Sequence, residues 1–90
     1  MFVTVHYMAQ IKRAAGCANE KVETAEAVTL RTFLQSVAAR RGAEFRALLL
    51  DDADEPRKSL LFFVGDDHAD LGLVLRDGDA LTILAPMAGG

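Results

Sequence analysis

Leu75-Arg76-Asp77-Gly78-Asp79 leads into Ala80-Leu81-Thr82-Ile83-Leu84, and the sequence closes with Ala85-Pro86-Met87-Ala88-Gly89-Gly90. The first stretch reads as a tight turn. Aspartate side chains accept hydrogen bonds from nearby backbone N–H groups, and Gly78 takes a positive φ without a steric penalty. The second stretch is an apolar strand. Pro86 has no N–H to pair, fixes its own φ, and biases Ala85 toward an extended backbone. Gly89 and Gly90 carry no side chains and can adopt backbone angles closed to other residues. A slim end of this kind can enter a narrow channel and present a bare α-carboxylate to another protein's active site. Gly90, with Gly89 before it, is therefore the candidate reacting group.

Upstream of this stretch, residues 29–41 give the strongest periodicity. Leu30, Phe33, Leu34, Val37 and Ala38 fall on one helical stripe. Thr29 suits the N-cap, Arg40 and Arg41 oppose the negative end of the helix dipole, and Gly42 suits the residue beyond the C-terminus. Residues 2–8 alternate as a strand, with Val3, Val5 and Tyr7 on one side and Thr4 and His6 on the other. Residues 9–17 read as a connection, and residues 21–27 as a weaker strand anchored by Val22. Phe45, Leu48 and Leu49 form a further helical turn. Residues 51–58 are a charged, proline-containing loop. Residues 59–64 are apolar on both faces, as in an inner strand. Residues 65–67 turn, and residues 70–75 include a short strand. One amphipathic helix must then cover one face of a mixed sheet of four or five strands, an α+β domain. The expected organisation is a single domain over residues 1–90, with residues 86–90 as an extended tail.

Composition narrows the function classes. The 90 residues are 51% hydrophobic and carry a net charge of −3, which argues against a nucleic-acid binder with a basic face. Cys17 is the only cysteine, so an internal disulfide or a zinc site built on paired cysteines is excluded. No metal site and no bound cofactor are expected. The charges of residues 51–58 read as solvated surface, since they lack the Gly and Glu spacing of a calcium loop. Cys17 reads as an incidental loop cysteine, with a thioester or disulfide to a partner as the sharper alternative. The start of the chain lacks the basic and apolar regions of a secretory signal, and runs such as residues 60–64 are too short to span a membrane. The expectation is a cytoplasmic protein without membrane partners.

Three segments together resemble the ubiquitin-like β-grasp sulfur carriers, the family of the molybdopterin synthase small subunit and the thiamine-pathway carrier. They are residues 7–16, the cap and helix from Thr29, and above all Leu75 to Asp79 followed by Leu81 to Gly90 in register. The long crossover through residues 51–58 is closer to the longer carriers, including a type that supplies sulfur for cysteine synthesis. The resemblance implies a β-grasp fold with the sheet packed on one main helix. It implies a carrier, not an enzyme, acting as small subunit or co-substrate of a sulfurtransferase. An E1-like adenylating enzyme would use ATP to activate the Gly90 carboxylate. A sulfur nucleophile would displace AMP and leave a thiocarboxylate. The carrier would then deliver sulfur to an accepting enzyme such as the molybdopterin synthase large subunit. Thiamine, cysteine and tRNA thiolation are the alternative destinations, and isopeptide formation with lysines, as in a ubiquitin-like modifier, is the alternative chemistry.

Such a carrier must dock as well as react. Residues 86–90 reach at most about 17 Å when extended. The partner-binding residues expected beside the tail are Met8, one of Phe62 and Phe63 with Phe62 as the choice, Leu84, Pro86, Met87 and Ala88. They would form an apolar patch on the sheet face opposite the helix. Methionine adapts to more than one partner surface. Phe62 and Phe63 point oppositely, so at least one of them belongs to the core.

Overall fold

The alternation of Val3, Val5 and Tyr7 with Thr4 and His6 survives as burial: the first three are at most 1% exposed, whereas Thr4 and His6 are only partly buried. The computed structural model describes residues 1–86. Along the chain lie β1 (Phe2–Tyr7), α1 (Ala9–Ala15), β2 (Asn19–Glu23), α2 (Leu30–Ala39), α3 (Ala43–Leu49), β3 (Leu61–Val64), β4 (Asp67–His68) and β5 (Ala80–Leu84). The strand order is β2-β1-β5-β3-β4. The central pair β1–β5 is parallel, and the β1–β2, β3–β5 and β3–β4 pairs are antiparallel. A parallel pair requires a crossover, and the helices lie in that crossover.

The stripe of α2 supplies the second layer. Leu30, Phe33, Leu34, Val37 and Ala38 are buried against Val3, Val5, Leu81 and Ile83 in a continuous apolar cluster. Thr29 caps the helix, its Oγ1 accepting from the Thr32 N–H at 3.3 Å. Two further N–H groups of the first turn are satisfied from outside: Leu30 donates to the Leu73 carbonyl at 2.8 Å and Arg31 to the Leu71 carbonyl at 3.0 Å. Residues 70–75 therefore close over the helix N-terminus. They form turns and a single bridge, Thr29 to Val74, in place of the expected short strand.

Other boundaries also differ. Residues 9–17 are not a plain connection, because Ala9–Ala15 is helical. The helix ends at Gly16, whose φ of 78° lets its N–H turn back to the Lys12 carbonyl. Only Ile11 is buried in it, so seven residues offer no visible period. Strand β2 begins at Asn19 and ends at Glu23, because pairing with β1 runs from Phe2–Glu23 to His6–Asn19. The turn expected at residues 65–67 closes into a two-residue strand, Asp67–His68, at the sheet edge.

Phe33 is fully buried at the centre of the helix stripe. Phe33→Ala should lower unfolding free energy by roughly 3–5 kcal/mol. Urea denaturation checks this, and an unchanged midpoint would show that the stripe does not hold the layers together.

Candidate functional site: the outer sheet face and the root of the tail

The Asp-Gly-Asp turn sets where β5 begins and, through its register, where Ala85 and Pro86 lie. Asp77 Oδ1 accepts from the Phe2 N–H at 2.8 Å, and Asp79 Oδ2 accepts from the Arg76 N–H at 2.8 Å. Gly78, at φ 87°, donates to the Phe2 carbonyl, and Thr4 donates to the Asp79 carbonyl. The turn is thus fastened to the beginning of β1. It fixes the parallel register, from Thr4 opposite Ala80 to Tyr7 opposite Ile83. Strand β5 then ends beside the end of β1, with Leu84 one residue past that last pair.

Strand parity assigns the outer face. Cross-strand pairs place His6, Thr82, Phe63 and His68 in one row. The Phe63 and His68 rings meet edge to face at 5.8 Å. The next row contains Leu84, paired with Leu61. Met8 continues β1 with extended backbone at φ −122°, ψ 149°, and its side chain is 44% exposed. Met8 and Leu84 thus share this face at the end where β5 runs into Ala85 and Pro86. Pro86 is exposed just beyond.

Phe62 does not belong to that surface. It pairs with Ile83 on the helix side and is 5% exposed. Its neighbour Phe63 takes the outward position, because consecutive strand residues alternate. Leu61 joins the outer face by the same parity, and only its pairing with Leu84 reveals it. Met87, Ala88, Gly89 and Gly90 lie outside the described residues. Among the described residues no cluster of three or more His, Cys, Asp or Glu could hold a metal ion, and no helix is long and apolar enough to cross a membrane.

A polar clasp behind the sheet braces β1. The Tyr7 hydroxyl donates to Glu20 Oε1 at 2.5 Å, and Arg41 bridges to Glu20 Oε2 at 2.6 Å. Arg41 also donates to the Ala15 carbonyl and to Cys17 Sγ, and its guanidinium covers the Tyr7 and Phe45 rings. One side chain thereby joins the end of α1, β1, β2 and α3. Burial, followed by the hydrogen bond to and charge of Glu20, pushes the Tyr7 phenol above its ordinary value. Partial burial of Glu20 favours its neutral form, but the hydrogen bonds and charge of Arg41 together with the Tyr7 hydroxyl outweigh it and hold the carboxyl below its usual range. Arg41 reads in sequence only as a last-turn cation, so no local signal joins it to Tyr7 and Glu20.

A parallel strand pair at the centre of a mixed sheet, one main helix across it, and a last strand running to the tail define the ubiquitin-like β-grasp class. The chain belongs to the ThiS family of ubiquitin-like sulfur carriers, whose model matches residues 5–90. Among solved structures it is similar to SAMP1 from Haloferax volcanii, with a TM-score of 0.90 at 19% identity over the whole of both chains. It is also similar to a chain of the BexX/CysO complex of Amycolatopsis orientalis, with a TM-score of 0.71 at 27% identity over 98% of this chain and 99% of that one. A chain of the complex of subunits 1 and 2 of the molybdopterin-converting factor from Helicobacter pylori matches with a TM-score of 0.63 at 21% identity over the whole of both chains. No curated protein matches the chain in sequence.

Tyr7 is the only tyrosine, so one phenol can be followed. Its raised folded-state pKa means that its contribution to stability is complete below about pH 10, the ordinary tyrosine value. Above that, the unfolded phenol ionises first and the contribution is lost as pH climbs toward the folded value. Tyr7→Phe should cost about 1.5–3 kcal/mol at pH 7, the worth of a hydrogen bond to a charged group. The gap between wild type and variant should hold up to about pH 10 and narrow above it in urea titrations. A gap independent of pH would contradict the clasp.

Proposed function

We propose that this chain carries sulfur on its C-terminal Gly90 and that its recipient is molybdopterin synthesis. The Gly90 carboxylate is a poor electrophile while ionised. An E1-like activating enzyme joins it to the α-phosphate of ATP, releasing pyrophosphate, and a sulfur nucleophile then displaces AMP. The product is a thiocarboxylate, an anionic sulfur nucleophile at neutral pH. The protein itself contributes position: Gly89 leaves room for the channel, and the outer face seats the partner. A partner of the type of the molybdopterin synthase large subunit would receive the sulfur. Thiamine, cysteine and tRNA thiolation would draw on the same thiocarboxylate, and transfer of the activated carboxylate to a lysine would make the chain a modifier instead.

The observation that supports this reading is the continuity of three features. The Asp77–Asp79 clamp fixes β5, β5 ends beside Met8 at the end of the outer face where Leu61 and Leu84 pair, and the family match continues through residue 90. From Pro86 the remaining four residues can reach at most about 14 Å, enough to insert Gly90 while the body stays docked.

Purified protein incubated with the activating enzyme, ATP and a sulfur source should gain the mass of sulfur in place of oxygen at Gly90. Deleting Gly90, or adding one residue after it, should abolish that gain while leaving the denaturation midpoint unchanged. The added residue displaces the carboxylate by about 3.3–3.6 Å, beyond the tolerance of positioned chemistry. Sulfur carried elsewhere in the deletion variant, for instance on Cys17, would contradict the mechanism. Addition of the molybdopterin synthase large subunit and its substrate should discharge the thiocarboxylate; a lysine conjugate in its place would identify a modifier.

Met8→Asp and Leu84→Asp test the docking face separately. Each should weaken association with the activating enzyme by about tenfold or more, since burying an unpaired carboxylate costs at least about 1.4 kcal/mol. Circular dichroism should show the fold retained. Unchanged affinity in both variants would remove the outer face from the interface.

A further inference from the structure

A groove of about 710 Å³ opens at the root of the tail, floored by Ala9, Leu48, Leu60 and Pro86. Arg13 and Arg57 stand in its lining, and no aspartate or glutamate does. Arg57 is held by its Nε, which donates to the Ala47 carbonyl at 2.7 Å. Neither guanidinium takes part in an ion pair among the described residues. An adjoining hollow shares Ala9 and Arg13, adds Lys12, and again lacks acidic residues. Three cations thus border one continuous surface on a protein whose net charge is −3. Elsewhere the basic residues of α2 and α3 meet carboxylates, as in Arg31–Glu55 and Arg46–Asp54.

The groove is continuous with the outer face. Met8 lies on that face and Ala9, the next residue, floors the groove. The change of direction is made at Ala9 with φ 49°, a left-handed conformation that costs a side-chain-bearing residue about 1–2 kcal/mol. On the other strand Leu84 lies on the face, and Ala85 and Pro86 enter the groove wall. A protein that covers Met8 and Leu84 and reaches on to Ala85 and Pro86 meets this groove.

We propose that the groove is a second docking site, which takes an apolar side chain flanked by aspartate or glutamate from the protein that receives the tail. The apolar floor accepts the side chain, and Arg13 and Arg57 pair with the carboxylates. The sulfur-carrier reading enters only in naming the partner; the chemistry of the occupant follows from the groove.

Amide NMR titrations with acetyl-Phe-Glu-Glu-amide and its neutral counterpart acetyl-Phe-Gln-Gln-amide test this. The acidic peptide should shift Gln10, Leu48 and Ala85 with a dissociation constant in the millimolar range, and the neutral one should bind about three- to fivefold more weakly, as expected of exposed charge pairs. Arg13→Glu should weaken the acidic peptide by a similar factor, and Arg40→Glu, remote from the groove, should not. Equal binding of the two peptides, or no shift at these amides, would overturn the proposal. The same amides shifting with protein concentration alone would assign the groove to a second copy. Their shifting on removal of residues 87–90 would assign it to the protein's own tail. Either result would also overturn it. The titration does not depend on Gly90 chemistry, so failure to form a thiocarboxylate and failure of the groove are separate outcomes.

Discussion

Asp77 accepts from the Phe2 N–H and ties the last strand to the first, while Asp79, across Gly78, accepts from the Arg76 N–H and closes the turn. Parallel strands separated by most of the chain have no short loop to set their register. Here the register is set by hydrogen bonds from Phe2, Thr4 and Gly78. A slip of one residue would exchange the faces of β5, sending Leu81 and Ile83 outward and Thr82 and Leu84 into the core. The clamp therefore decides both that the core closes and that Leu84 lies on the outer face beside Met8.

The rest of the molecule supports that arrangement from behind. Helix α2 buries the inner face through Phe33 and its neighbours. The segment from Leu71 to Leu73 satisfies the first N–H groups of the same helix, so the polypeptide just before the clamp is itself held. Arg41 draws Tyr7, Glu20 and the end of α1 together. This leaves the outer face as the side on which Met8, Leu61, Phe63 and Leu84 are not covered by a helix. The proposed carrier role fits this division between a braced inner face and an outer face that no helix covers.

The parts of this design legible in sequence are those with long or distinctive patterns. The ten residues of α2 carry nearly three turns of period, β1 alternates strictly, and the Asp77-Gly78-Asp79 turn has its own chemistry. Short elements were not legible. Helix α1 buries Ile11 alone, and β4 has two residues, so neither contains a full repeat. The choice between Phe62 and Phe63 required the register of β3 against β5, which local sequence does not encode. The Tyr7–Glu20–Arg41 clasp joins residues 13 to 34 positions apart along the chain, and only the folded arrangement brings them within hydrogen-bond distance. Gly89 and Gly90 lie outside the described residues, and the role proposed for them rests on residue type and the family match alone.

The central claim is that the chain reacts through its terminal carboxylate. The most direct measurement is tandem mass spectrometry of the protein isolated from its native cells without prior reduction. The account predicts a population in which sulfur replaces one oxygen on the fragment containing Gly90, with Cys17 unmodified. Sulfur found only as a persulfide on Cys17, with an unaltered Gly90 fragment in cells actively using the pathway, would contradict it.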